Sequence, residues 1–166
     1  MTIILIGGIR GSGKTTLAKE LVLRMSSRKV CLIDMNAICG KDSPEAFGCE
    51  IVKLQNNIRK FKENQIDMII EGIFALHFAE LRELADLMLY VDCDDDLAFG
   101  RIIKDATESI ENVIQNYQEF VKPASEEYVK PSRNHAHLII PNNLGTCIKG
   151  NEIIDIFATF SPDHKL

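Results

Sequence analysis

The sequence contains no tryptophan, only five prolines among 166 residues, and no uninterrupted apolar run of membrane-spanning length. A transmembrane helix needs roughly 18 or more such residues, so we expect no membrane partner. The first seven residues are apolar, but they lack the basic region of a secretory signal and lead directly into a motif. These absences predict a cytoplasmic protein.

Cysteine pairs and an excess of basic residues are also missing. The five cysteines are odd in number and form no Cys-x-x-Cys pair. Without an export signal, this predicts reduced, buried thiols rather than a disulfide framework or a zinc site. The 19 basic residues are outnumbered by 24 acidic ones, which gives a net charge of −5. An acidic chain is a poor candidate for binding nucleic acid, although a few local cations could still hold a small anion.

What the sequence does contain is the composition of one ordinary globular domain. Hydrophobic residues make up 46% and charged residues 26%, which excludes a disordered chain. We expect a single domain over residues 1–166, because that length suits one core. Short β-branched apolar runs predict strands that are buried on both faces. The predicted strands are residues 2–7, 30–34, 67–72, 87–92 and 137–141.

Segments with helical spacing lie between these runs and after them. The predicted helices include residues 17–25, 47–61, 76–84, 97–103, 110–121 and 151–160. Ser43 and Pro44 suit the start of the second helix, as cap and first helical residue. Alternating strands and helices predict an α/β fold of three layers, a five-stranded parallel sheet with helices on both faces. Ligands of such sheets bind beyond the carboxyl ends of the strands.

A phosphate-binding pattern follows the first predicted strand. Residues 8–15, Gly-Ile-Arg-Gly-Ser-Gly-Lys-Thr, match G-x-x-x-x-G-K-[ST]. The glycines let backbone N–H groups converge on phosphate oxygens, and the next helix adds its positive N-terminal end. Lys14 can reach the β- and γ-phosphates of ATP, and the Thr15 hydroxyl can ligate Mg²⁺. Arg10 suits a phosphate contact and a solvated loop position equally well. The predicted nucleotide-binding residues of this segment are Gly8, Gly11, Ser12, Gly13, Lys14, Thr15 and Thr16.

Polar residues also end the second and third predicted strands. Glu71 ends the third strand beside the predicted phosphate loop, where a carboxylate can hold Mg²⁺ directly or through water. Asp34 and Asn36 follow the second strand, near the place of an acceptor hydroxyl. A carboxylate there could take the hydroxyl proton, and capping of a turn is an equally good interpretation of both residues.

Several short blocks, in order, resemble the uridine/cytidine kinases and the wider group that includes phosphoribulokinase-like P-loop kinases. Besides the phosphate loop, these blocks are residues 71–73, 87–92, 101–105, 113–117, 121–123, 130–133 and 136–142. The resemblance implies a P-loop NTPase fold of the nucleoside/nucleotide-kinase type. It also implies ATP-dependent phosphorylation of a small-molecule hydroxyl, which in this family is the 5′-hydroxyl of a pyrimidine nucleoside.

The resemblance also implies roles for individual residues. Arg101 and Lys104 match basic positions of a helical lid at about residues 100–130, and Asn142 matches a loop near the adenine. The family's catalytic aspartate aligns with Asn36, or with Asp34 after a two-residue shift. The residues with a predicted catalytic role are Lys14, Asp34, Asn36 and Arg101.

The chain departs from this family in its lid and acceptor regions. The family's Glu-Arg-Gly-Arg insertion is missing between Asp105 and Val113, and no arginine replaces it. Only residues 62–65 stand where the family has a hairpin over the nucleoside base. Three functions remain open: a nucleoside kinase, a kinase for another acceptor such as a nucleotide, sugar or vitamin precursor, and an ATP-binding module with little or no transferase activity.

Overall fold

The computed structural model of the chain describes residues 1–25, 28–39 and 48–143. Across these residues the sheet has five parallel strands in the order β2-β3-β1-β4-β5. The strands are β1 (Ile3–Gly7), β2 (Val30–Asp34), β3 (Asp67–Glu71), β4 (Leu87–Asp92) and β5 (Leu138–Pro141). The predicted parallel sheet is confirmed, with strand ends within one residue of those expected.

Helices cover both faces of the sheet, as predicted. Because side chains alternate along a strand, Ile4 and Ile6 pack with Leu17 and Leu21 of the first helix, while Leu5 packs on the opposite face. The helices before residue 117 are α1 (Lys14–Arg24), α2 (Met35–Cys39), α3 (Gly48–Glu63), α4 (Ala79–Arg82), α5 (Asp95–Asp105) and α6 (Ile110–Asn116). The two apolar layers fix the position of α1, and with it the loop that precedes α1.

The helix predicted at residues 76–84 is wrong over its first part. Only Ala79–Arg82 is helical, and turns follow β3 up to that point. Phe74, Ala75 and Leu76 are three consecutive fully buried side chains. The burial of Leu76 therefore continues that of the two residues before it in the turns and does not mark one face of a helix.

A long helical run extends from residue 110 to residue 135, well past the predicted end at residue 121. It consists of α6, a π-helical turn at Tyr117–Val121, α7 (Lys122–Ala124), a second π-helical turn at Ser125–Val129, α8 (Lys130–Ser132) and a 3-10 turn at Arg133–His135. Pro123 and Pro131 each follow one of the π-helical turns. A proline lacks the N–H that an α-helical ladder needs, and a wider turn accommodates that gap.

Some predictions fall outside the described residues. Ser43, Pro44 and the predicted helix at residues 151–160 belong to this group. In the described part of the chain, no helix combines the length and the apolar character that a membrane span requires. Cys31 and Cys93, the two cysteines whose side chains are described, are free thiols as expected.

Candidate active site

The phosphate loop, residues 8–15, joins β1 to α1 and is enclosed on two sides. Gly11 (φ +80°) and Gly13 (φ +100°) adopt left-handed conformations that favour glycine. A Cβ on Gly11 would overlap the backbone oxygen of Ala98 in α5, and one on Gly13 would overlap the side-chain amide of Asn142. The loop therefore has room for glycine alone at both positions, between α5 and the segment after β5.

The first turn of α1 is open to an anion. The helix begins at Lys14, and among the described residues no side chain caps its first turn. That first turn also contains no acidic residue. The leading N–H groups of a helix have no partner inside it and carry the positive end of the dipole. A phosphate can accept hydrogen bonds from these groups, as the sequence motif predicts.

Lys14 is buried at the base of the loop, with only 5% of its surface exposed. Its Nζ donates a hydrogen bond to the backbone oxygen of Ile9 at 2.9 Å. Burial lowers the pKa of Lys14 to about 8, although the negative charges of Glu71 and Asp34 partly oppose this shift. A lysine ammonium has three donors, so this one can turn from the loop carbonyl to phosphate oxygens.

Thr15 and Glu71 form an oxygen pair across from this ammonium. The Thr15 hydroxyl donates to Oε1 of Glu71 at 2.6 Å. Glu71 is fully buried, and its Oε2 has no hydrogen-bond partner within the described part of the chain. Burial raises the pKa of Glu71, while the hydrogen bond from Thr15 and the charge of Lys14 act against that rise.

The oxygen pair fits the Mg²⁺ ion that the sequence predicted. A hydroxyl and a carboxylate are hard oxygen donors, and the unpartnered Oε2 of Glu71 gives a buried lone pair that a cation would satisfy. Over the described ranges no cluster of three or more His, Cys, Asp or Glu residues could hold a metal. A Mg²⁺ ion can be held by one or two protein oxygens that share it with phosphates and water.

Asp34 lies at the end of β2, directly beside Glu71. The two residues are paired in register between parallel strands, so their side chains project from the same face. Oδ1 of Asp34 accepts hydrogen bonds from the backbone N–H groups of Asn36 (2.9 Å) and Ala37 (3.3 Å). The charge of Asp34 also acts on Lys14. Asp34 thus caps a turn and faces the site at once, so its two sequence interpretations are compatible.

Asn36 contacts backbone rather than the loop. Its Oδ1 accepts a hydrogen bond from the N–H of Ile73 at 3.4 Å, which joins α2 to the turn that follows β3. An amide cannot ionise, so of the two candidates at this strand end only Asp34 can act as a base.

Arg101 braces the loop through its guanidinium group. It donates to the backbone oxygens of Gly11 (3.3 Å), Asn142 (2.8 Å) and Asn143 (3.5 Å), and to the Sγ of Cys93 (3.4 Å). The sequence identified this arginine as a lid residue but gave no indication that it binds these carbonyls. In the ligand-free chain Arg101 ties α5, the phosphate loop and the segment after β5 together.

Asn142 completes this brace. Its side-chain amide donates to the backbone oxygen of Ser12 at 2.8 Å, and its own N–H donates to the oxygen of Asp92 at 2.7 Å. Next to it, the side chain of Asn143 binds both the N–H and the carboxylate of Asp94 at 3.0 Å each. From the sequence only Asn142 was singled out, as a residue near the adenine, and the second asparagine after the fifth strand is a signal that could have indicated this network.

The other predicted nucleotide-binding residues lie around the loop. Ser12 is fully buried, and its Oγ has no partner among the described residues. Thr16 and Lys104 are exposed, the first on α1 and the second on α5. Gly8 is buried, and a Cβ there would lie 2.5 Å from the backbone oxygen of Val91.

A cavity of about 290 Å³ opens between the phosphate loop and the segment that follows α5. We name it the loop cavity. Its lining includes Arg10, Gly11, Arg101, Asp105, Glu108 and Tyr117. The phosphate loop, α5 and the α6 region therefore enclose a polar space.

Comparison with known proteins agrees with this geometry. The sequence profile of the Phosphoribulokinase / Uridine kinase family matches residues 52–147. The chain belongs to this family. Its sequence is 29% identical to uridine-cytidine kinase B of Dictyostelium discoideum, over 84% of this chain and 74% of that protein. It is also 29% identical to a uridine kinase of Macrococcus caseolyticus, over 95% of this chain and 94% of that protein.

Solved structures support the fold of this phosphoribulokinase/uridine kinase family member. Shikimate kinase from Acinetobacter baumannii superposes with a TM-score of 0.58, covering 96% of this chain and 94% of that one at 19% identity. At this identity the likeness shows a shared P-loop kinase fold alone. Family and fold together support a small-molecule kinase that uses ATP.

Proposed function

We propose that this family member transfers the γ-phosphoryl group of ATP to a hydroxyl of a small molecule. The observation that carries the proposal is the hydrogen bond from Thr15 to Glu71, whose other carboxylate oxygen is buried without a partner among the described residues and whose charge acts on the Lys14 ammonium. A packing role for Glu71 would not explain why that buried oxygen has no hydrogen-bond partner among the described residues. A magnesium–triphosphate site would explain it, because a cation would bind that oxygen.

Each of these groups has a part in the proposed transfer. The N–H groups of the loop and of the first turn of α1 hold the phosphates, and Lys14 leaves the Ile9 carbonyl to bind their oxygens. Thr15 and Glu71 hold Mg²⁺, directly or through water. When bound, the ion would neutralise part of the negative charge of the phosphates.

The reaction forms a bond from the acceptor oxygen to the γ-phosphorus and breaks the bond from that phosphorus to the β–γ bridging oxygen. The electron pair leaves with ADP, and the hydroxyl proton passes to a base. We assign the base to Asp34, because it is a carboxylate in register with Glu71. Asn36 positions the acceptor region by holding the N–H of Ile73.

Pyrimidine nucleosides are the first acceptors to test, because the relatives named above are uridine kinases. The structure argues for a wider panel. Helix α3 ends at Glu63 and β3 begins at Asp67, so no hairpin lies between these two described elements. Nucleotides, sugars and vitamin precursors therefore belong in the same screen.

One observation favours a second candidate, an ATP-binding module with little transferase activity. Residues 105–121 contain no lysine, arginine or histidine, so this segment brings no cation to the phosphates. An arginine that stabilises the charge of the transferring phosphoryl group can raise the rate about 10³–10⁵-fold. A kinase without one needs another cation at the γ-phosphate, or it is slow.

An acceptor screen with MgATP separates the two candidates. ADP formation is measured with each acceptor, and the phosphorylated product is identified by ³¹P NMR. A kinase forms ADP in step with one phosphorylated acceptor, and Lys14→Ala removes that activity. Tight MgATP binding with no acceptor-dependent ADP would favour the module, and absence of MgATP binding would contradict both.

A further inference from the structure

We propose that Arg10, a residue of the phosphate loop itself, places a positive charge on the transferring phosphoryl group. This inference rests on the proposed function and names a catalytic residue for it. In the sequence, a phosphate contact and a solvated position suited Arg10 equally. Three features of the structure favour the phosphate contact.

The first feature is the position of Arg10. Its side chain is exposed from the loop and lines the loop cavity together with Gly11. Its charge acts on the ammonium of Lys14, whose pKa it helps to lower. Arg10 and Lys14 are thus close enough within one short loop for their charges to interact, and of the two only Lys14 is buried. A triphosphate bound to Lys14 would therefore also be attracted by the charge of Arg10.

The second feature is that the other basic side chain of the loop cavity is already engaged. Besides Arg10, Arg101 is the one cation lining the cavity in the described part of the chain, and its guanidinium already binds three backbone oxygens. Further along the helical run, Lys130 is held by Asp95 at 2.7 Å, and Arg133 by Asp92 at 3.2 Å. Arg10 has no hydrogen bond or ion pair with any described residue.

The third feature is the charge of the opposite wall. Residues 105–121 are without a basic residue and carry four acidic ones, of which Asp105 and Glu108 line the cavity. This wall would repel a triphosphate, because both are negatively charged. Arg10 lies on the loop side of the cavity, across from this wall, where its charge can face a phosphoryl group. Because this wall carries no basic residue, a positive charge on the phosphoryl group has to come from the phosphate loop.

The chemistry of arginine suits this role. In phosphoryl transfer, negative charge is spread over the three equatorial oxygens of the γ-phosphorus. A guanidinium is planar and always charged, and it can donate two parallel hydrogen bonds to such oxygens. The charge therefore acts most strongly in the transition state, so its loss affects turnover more than ATP affinity.

The test compares Arg10→Ala, Arg10→Lys and the matched control Arg24→Ala, an arginine on α1 that pairs with Glu20. We expect Arg10→Ala to lower turnover about 10²–10³-fold and to change the Kd of MgATP less than about threefold. Binding of ADP with aluminium fluoride, which mimics the transferring group, should weaken far more than binding of ADP. Arg10→Lys should recover part of the loss, and Arg24→Ala should match the wild type.

Aluminium fluoride binding decides the matter even before an acceptor is found, because it needs none. Equal loss of affinity for ADP and for ADP with aluminium fluoride, or wild-type values of both in Arg10→Ala, would overturn the role of Arg10. A wild-type protein that gains no affinity from aluminium fluoride would overturn it as well. The proposed function fails separately, if the wild type does not bind MgATP or if Lys14→Ala keeps full turnover.

Discussion

At the scale of single residues, the site depends on two buried groups of opposite charge. Lys14 and Glu71 are each buried enough for desolvation to be the largest influence on its pKa, and each moderates the shift of the other. Neither side chain has all of its hydrogen-bonding capacity satisfied by described residues. Such groups are costly to a fold, and a ligand that satisfied both would explain why they are buried here.

Loss of the ammonium should abolish turnover. In Lys14→Ala the phosphates lose a charge-assisted partner that is worth about 1.5–3 kcal/mol, so ATP affinity should fall about 10- to 100-fold. Isothermal titration calorimetry measures the affinity, and circular dichroism checks that the fold is intact. Unchanged turnover in this variant would remove Lys14 from the site.

Loss of the carboxylate charge should act mainly on the Mg²⁺-dependent step. In Glu71→Gln the shape and the hydrogen bond from Thr15 can persist, but the negative charge that favours a divalent cation is gone. We expect turnover to fall more than nucleotide affinity, and the Mg²⁺ concentration for half-maximal rate to rise. Equal losses of rate and nucleotide affinity would indicate a packing role for Glu71 instead.

The lowered pKa of Lys14 predicts a pH dependence of binding. The free protein loses this proton near pH 8, whereas the phosphate-bound form needs it. The Kd of MgATP should therefore rise as pH increases through about 8, by up to tenfold per pH unit above it. Calorimetry on both sides of this pH measures the effect. Lys14→Arg, which stays protonated, should show no inflection, and a flat wild-type profile would contradict the assignment.

At the scale of secondary-structure elements, α5 and the phosphate loop depend on each other. Gly11 lies against the backbone oxygen of Ala98, and Arg101 binds the Gly11 carbonyl from the same helix. Asn142 holds the loop from the other side through Ser12. Movement of α5 would therefore move the loop, which gives the helical region after it a direct path to the phosphates.

Two glycines on these elements offer a matched comparison. Gly11→Ala should cost at least about 1–2 kcal/mol of unfolding free energy, because φ is +80° there and the Cβ overlaps Ala98. Gly100→Ala should instead stabilise the protein by about 0.5–1 kcal/mol, since Gly100 is helical with open space around it. Urea unfolding measures both changes. A Gly11→Ala variant as stable as the wild type would show that the loop is not packed against α5.

How much of this could be predicted from the sequence differs between elements. The five strands were predicted because each is a short apolar run that ends in a turn or a polar residue. Leu76 was misassigned to the start of a helix, because spacing cannot reveal that it lies in a turn after two other buried side chains. The π-helical turns before Pro123 and Pro131 were missed, because a proline in a helical pattern predicts a break, and a wider turn avoids the break.

The residues of the candidate site likewise differ in how far the sequence could predict them. The loop motif and Glu71 could be recognised because the chemistry is local or ends a strand. The partners of Arg101 could not, since Gly11 and Asn142 are 90 and 41 positions away and are brought to it by the packing of the sheet. A sequence specifies which residue carries a guanidinium, and tertiary packing decides which carbonyls it meets.

At the scale of the whole molecule, the sheet order places the loop at the centre. Strand β1 lies between β3 and β4, so the loop after β1 is flanked by the ends of both neighbours. Glu71 comes from one neighbour, and the segment near Cys93 that meets Arg101 comes from the other. Several elements far apart in the sequence therefore meet at one site, and a ligand there should stabilise the entire domain.

Thermal unfolding tests this link between site and domain. At an ATP concentration of 100 times the Kd, binding adds about 2.7 kcal/mol to stability. For a chain of this size we expect the Tm to rise by roughly 5–10 °C with MgATP. Lys14→Ala should lose most of this rise at the same ATP concentration. A wild-type Tm that does not rise with saturating MgATP would contradict the proposed nucleotide site.

The most direct measurement is a crystal structure with Mg²⁺ and a non-hydrolysable ATP analogue at saturating concentration. We expect the β- and γ-phosphates within hydrogen-bonding distance of the loop N–H groups, with Nζ of Lys14 on their oxygens rather than on the Ile9 carbonyl. The ion should lie by Thr15 and Glu71. A triphosphate bound elsewhere, with Lys14 still on Ile9, would contradict the central claim that this loop is a nucleotide site.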